Sequence, residues 1–138
     1  MQFDHEKLTV YHRALDFLGI ADAIASQLPQ GRHVLKDQLQ RASISIVANI
    51  AEGAGEFSKA EKRRFYRIAK RSGTESAALI DIVRKCGLAP EDKTREARLL
   101  LLEIVAMLTK LSMSKKVGSG MGRGMGTGKG SSGLRPLT

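Results

Sequence analysis

RASISIVANIAEG, from Arg41 to Gly53, places Ala42, Ile46, Ile50 and Gly53 at successive spacings of four, four and three. Residues so spaced lie along one side of an α-helix, so the stretch is read as helical with a buried stripe. Asn49, the only asparagine of the chain, falls among those apolar positions. A lone amide at a core-like position can fix register and assembly state at some cost in stability. A ligand-binding amide is the alternative. Ile44, Val47 and Ala51 project from the other side of the same helix, where a monomeric bundle is normally polar.

Working outward, Leu35 and Leu39 extend the buried stripe toward His33, giving a helix over about 33–54. Pro29, Gln30 and Gly31 interrupt the chain before it. An earlier helix is predicted from about Glu6 to Leu28, with Val10, Ala14, Phe17, Ala21, Ile24 and Leu28 on one stripe and Leu8, Tyr11, Leu15 and Leu18 on a second. Together the two stripes cover roughly 200° at about 100° per residue. That is more than one small bundle buries, so Leu8, Tyr11, Leu15 and Leu18, with Ile44, Val47 and Ala51, are assigned to a contact between subunits.

Downstream, Ser58 and Glu61 match a capping box, and Phe57 stands where a hydrophobic staple begins. The third helix then carries Phe65, Ile68, Ala69, Ser72, Ser76, Leu79, Val83 and Cys86 on its apolar side and ends near Gly87. Cys86 is read as a small buried hydrophobe, and as the only cysteine it forms no internal disulfide. A fourth helix follows Pro90, with Glu91 and Asp92 suited to its N-terminus and Lys115 and Lys116 to its C-terminal end. Its stripe is Ala97, Leu100, Leu101, Ile104, Leu108 and Leu111.

Four helices, short connections and no strand pattern predict an all-α fold, an antiparallel up-down-up-down four-helix bundle over 1–116. The chain has 138 residues, enough for one domain. From 117 to 138 the composition changes, with eight of the fourteen glycines, and a flexible, disordered Gly-rich C-terminal tail is expected. No signal-peptide pattern follows the start, and the longest apolar run is far short of a membrane span, so a soluble cytoplasmic protein is expected.

Catalytic motifs are weak. Gly128, Gly130 and Gly133 satisfy GxGxxG but lack the preceding strand and following helix of a dinucleotide site. Around Lys129, Arg123 and Gly130 replace residues that a phosphate-binding loop requires. His5, His12 and His33 make no i, i+4 pair, so no metal or cofactor is expected. Glu75 lies near the apolar arc of the third helix and needs a partner there. The candidates are the polar strip of the second helix, Gln38, Arg41, Ser45 and Glu52, or Asn49. The reading is a structural polar network of Arg41, Asn49, Glu52 and Glu75, with a catalytic acid as the alternative.

The net charge of +9 is unevenly distributed: residues 58–87 hold nine basic and three acidic groups, and seven of the thirteen residues from Lys59 to Arg71 are basic. Lys59, Lys62, Arg63, Arg64, Arg67, Lys70 and Arg71 fan opposite the apolar stripe, with Tyr66 in their midst. Cations can neutralise phosphates while Tyr66 stacks on an unpaired base, which makes this a candidate nucleic-acid site for RNA or DNA. A solvated face kept cationic for solubility is the plainer reading.

The residues Leu39, Arg41, Ala42, Ser43, Ser45 and Ile46, then Asn49-Ile50-Ala51-Glu52-Gly53, and later Ser58, Phe65, Ile68, Ala69, Ser72 and Glu75, carry a resemblance. Over about residues 3–112 the chain resembles the bacterial four-helix bundle family named after proteins encoded in 23S rRNA intervening sequences. The resemblance implies a homo-oligomer, typically a pentamer, with no known catalytic activity. Accessory proteins of diversity-generating retroelements are similar in fold, which implies a reverse transcriptase or other acidic protein as a partner beside nucleic acid.

Overall fold

The computed structural model describes residues 1–113, which form four long helices: α1 (Thr9–Gln27), α2 (His33–Ala54), α3 (Lys59–Lys85) and α4 (Glu91–Ser112). The expected tail, with Lys115 and Lys116, lies outside the described residues. Each helix packs on two neighbours, α1 on α2, α2 on α3, α3 on α4, and α4 back on α1, which closes the predicted antiparallel four-helix bundle. Among the described residues there is no strand, and no helix is long and apolar enough to cross a membrane.

Local chemistry explains the boundaries. The first helix starts at Thr9, not near Glu6, because Asp4–Lys7 forms a separate 3-10 turn and Leu8 is extended. That turn is closed by the Glu6 carboxylate, which accepts a hydrogen bond from the Phe3 N–H at 2.9 Å. At the head of α3 the Ser58 hydroxyl accepts from the Glu61 N–H at 3.0 Å, a cap that stabilises a helix by about 1 kcal/mol. The Glu61 carboxylate turns instead to Arg64, so only half of the capping box forms.

The expected staple at Phe57 is absent: its ring is wholly exposed. A staple needs an apolar residue four positions after the cap, and Lys62 stands there. At the other end of α3, Gly87 adopts φ 65°, which only glycine takes without strain. The Leu88 N–H then reaches back to the Val83 carbonyl at 2.9 Å and the Gly87 N–H to that of Arg84 at 3.1 Å, a Schellman closure. Cys86 is the last residue before this turn and is exposed, against the expectation of burial, because the chain leaves the helix before the stripe reaches it.

The core is aliphatic around one phenylalanine ring, with Phe17, Leu39, Ile46, Ile50, Ile80, Leu101, Ile104 and Leu108 all essentially inaccessible. The predicted stripes of α1, α2 and α4 supply most of it. In α3 the predicted Ala69, Ser72, Ser76, Leu79 and Val83 are buried, and Tyr66, Gly73 and Ile80 are buried beside them, so the covered arc extends past the predicted stripe on one side. Phe65 and Ile68 are left half-buried at the edge.

Candidate nucleic-acid interface

Lys59, Arg63, Arg67 and Arg71 follow each other at intervals of four, so they share one ridge of α3, and Lys70 stands beside it. At about 1.5 Å per residue the ridge runs roughly 18 Å. None of these five cations forms an ion pair among the described residues. With no counter-ion, they create a local positive potential that mobile anions or a polyanion can neutralise.

The other three residues of the predicted site are engaged elsewhere. The Lys62 ammonium donates to the Ala54 carbonyl at 2.9 Å and approaches that of Gly53 at 3.4 Å, capping the C-terminal end of α2. Arg64 pairs with Glu61 at 3.2 Å and stands over the Phe65 ring, 4.5 Å from its centre.

Tyr66 is buried, only 5% exposed, and its ring lies against Gly53 of α2. It therefore cannot present its face to a base, and that part of the predicted site is corrected. The signal was available in the spacing of Tyr66, Ala69, Gly73, Ser76, Ile80 and Val83, an alternation of three and four that marks a packed seam.

Burial also raises the Tyr66 pKa above the ordinary phenol value. The folded state thus favours the neutral ring. Its contribution to stability is complete below the ordinary value near 10 and is lost as pH rises through the higher folded value. Tyr66→Phe should therefore lose less stability than the wild type between about pH 8 and about pH 11, read from urea midpoints at both. Equal losses in the two proteins would show that Tyr66 does not titrate with folding.

The polar residues of α2 form a smaller network than expected. Asn49 donates through Nδ2 to the Ser45 carbonyl at 2.9 Å and to its hydroxyl at 3.1 Å, and that hydroxyl meets the Ser72 hydroxyl of α3 at 2.8 Å. Arg41 instead approaches Asp37 at 3.9 Å, and Glu52 is exposed, so neither joins it. Glu75 is exposed on the lip of a groove of about 500 Å³ that Arg41, Ser45 and Ser72 also line. Being solvated, it needs no buried partner. The network is one of hydroxyls and an amide across α2 and α3, without the charges.

The residues assigned to a subunit contact divide. Leu8, Tyr11 and Val47 pack against the bundle's own core, Leu18 and Ala51 are half-buried, and Leu15 and Ile44 are 38% and 56% exposed. Among the described residues no cluster of His, Cys, Asp and Glu is arranged to hold a metal ion. His12 shares a hydrogen bond with the Glu6 carbonyl at 2.9 Å and stacks edge-on with Tyr11.

Comparison with known proteins bears on the fold and the family. A crystal structure of a protein of unknown function from the S23 ribosomal protein family, from Bacteroides thetaiotaomicron, superposes with a TM-score of 0.72 at 20% sequence identity. The match covers 77% of this chain and all of the other, and shows the fold. No match was found among curated proteins. The family model for the 23S rRNA-intervening sequence protein matches residues 6–110, the whole bundle from the 3-10 turn nearly to the end of α4. With fold, motif and family model in agreement, the chain belongs to the 23S rRNA-intervening sequence protein family.

Proposed function

We propose that this protein is a non-enzymatic, self-associating bundle that binds the phosphate backbone of nucleic acid along the α3 ridge. The observation that supports it is the row of Lys59, Arg63, Arg67, Lys70 and Arg71 on one helix, three of them exposed and Arg63 and Lys70 half-buried, all without an ion-pair partner among the described residues. Such a row contacts phosphates without reading sequence. The exposed Leu15 and Ile44 on neighbouring helices support association with further copies, five by resemblance to the family, and repetition of a weak site raises its avidity.

The test is binding of a short RNA at low salt by the wild type and by a variant carrying Arg63→Glu, Arg67→Glu and Lys70→Glu. Reversing three cations should weaken binding about 100-fold or more and lower the salt slope by about 0.7–0.9 for each phosphate no longer neutralised. Native mass spectrometry of the same samples should show the same number of subunits for both proteins. Unchanged affinity in the reversal variant would sink the reading.

Exposed Leu99 and Leu102 on α4 favour a second reading, an accessory subunit whose cations and apolar residues dock an acidic protein such as a reverse transcriptase. Capture of that protein after nuclease treatment would favour it.

A further inference from the structure

Phe57 is the most exposed aromatic ring of the described chain, with nothing of its own fold over it. It occupies the connection between α2 and α3, one residue before the capping Ser58 and two before Lys59, where the cationic ridge begins. Its would-be staple partner, Lys62, is held away by the last carbonyls of α2. Of the acidic residues nearby, Glu61 is paired with Arg64, and Glu56 is half-buried. A bare ring therefore stands at the head of a row of unpaired cations.

From this we infer that the site takes single-stranded nucleic acid in preference to duplex, with a base stacked on Phe57 and the adjoining phosphates on Lys59, Arg63 and Arg67. The inference rests on the proposed phosphate-binding role of the ridge. Within a duplex both faces of each internal base are covered by its neighbours, so a ring can lie flat only on an unpaired base. Stacking of this kind tolerates any sequence, because every base has a π-face. The cations alone do not discriminate in this way, since both forms carry phosphate. Tyr66 does not supply the ring, being buried, and charge complementarity argues for a polyanion over an apolar partner.

The chain has no tryptophan, so Phe57→Trp introduces a single reporter at this position. Because Phe57 packs on nothing, neither Phe57→Trp nor Phe57→Ala should disturb the fold. The experiment compares a short mixed-sequence RNA with the same strand annealed to its complement.

Phe57→Ala should weaken single-strand binding about tenfold and leave duplex binding unchanged. Phe57→Trp should keep wild-type affinity, with emission quenched by the single strand and not by the duplex. Unchanged single-strand affinity in Phe57→Ala, or equal quenching by both forms, would overturn the inference. If the three-site α3 reversal variant still loses both ligands in that case, the phosphate-binding reading survives alone. Failure of the wild type to bind either form at low salt overturns both.

Discussion

Phe17→Ala is expected to remove about 3–5 kcal/mol of folding free energy, the largest effect of any single truncation in this protein. Phe17 is fully buried and is the only phenylalanine in the core, the others being partly or wholly exposed. It lies midway along α1, between Ala14 and Ala21, two buried residues too small to close over the space it would leave. The alanines on its own helix face cannot reach into the space, which puts the cost toward the upper end of the range. A domain of this size is stable by about 5–15 kcal/mol, so the loss takes about a third or more of the total, and at the lower end of that range it leaves the variant marginal or unfolded at room temperature. With a urea slope of about 1–3 kcal/mol/M, the midpoint should fall by about 2 M. A fall worth less than about 1 kcal/mol would mean that the α1 seam is looser than the packing around Phe17 implies.

Gly53→Val is the second large effect and tests the α2–α3 contact directly. A Cβ on Gly53 would sit 2.8 Å from Tyr66 Cε1, 3.0 Å from its Cδ1 and 3.1 Å from Phe65 Cβ. The ring has nowhere to swing, being buried on the seam, and the Phe65 Cβ is fixed to the α3 backbone. Glycine in a helix ordinarily costs about 0.5–1 kcal/mol relative to alanine. At Gly53 that gain should be outweighed, with Gly53→Ala losing about 1 kcal/mol and Gly53→Val about 3 kcal/mol through overpacking. Gly19 provides the control: nothing lies within 4 Å of a Cβ built there, so Gly19→Ala should gain about 0.5–1 kcal/mol. Thermal melts of the three variants check the pattern. A stabilised Gly53→Ala would show that α2 and α3 do not approach this closely.

The glycine that ends the RASISIVANIAEG stretch is therefore there for proximity. Sequence periodicity places it on the buried side of α2, but its partner belongs to another helix. The same division runs through the ionisable residues. Lys62 looks like one more cation of a basic run, and only the position of the α2 C-terminus turns it into a cap. Glu75 looks stranded near an apolar arc, and only the width of the α2–α3 groove shows it to be solvated. The serine hydroxyls of Ser45 and Ser72 lie twenty-seven residues apart, so the bond that ties Asn49 to α3 has no local signal.

The local part of the structure is legible in the order of residues: four helices, their breaks at Pro29 and Pro90, the Ser58 cap and the Gly87 turn. These follow from backbone geometry, side-chain capping and the 3.6-residue period, all of which act within a few residues. The crowding of cations in the first half of α3 is legible there too. Which side of each apolar arc is covered depends on the two neighbours a helix acquires on closing the ring, so it is settled only when all four helices pack together. That placement put Tyr66 inside and left Phe57 out, so the ring beside the cations is the one before Ser58 and not the one between Phe65 and Arg67.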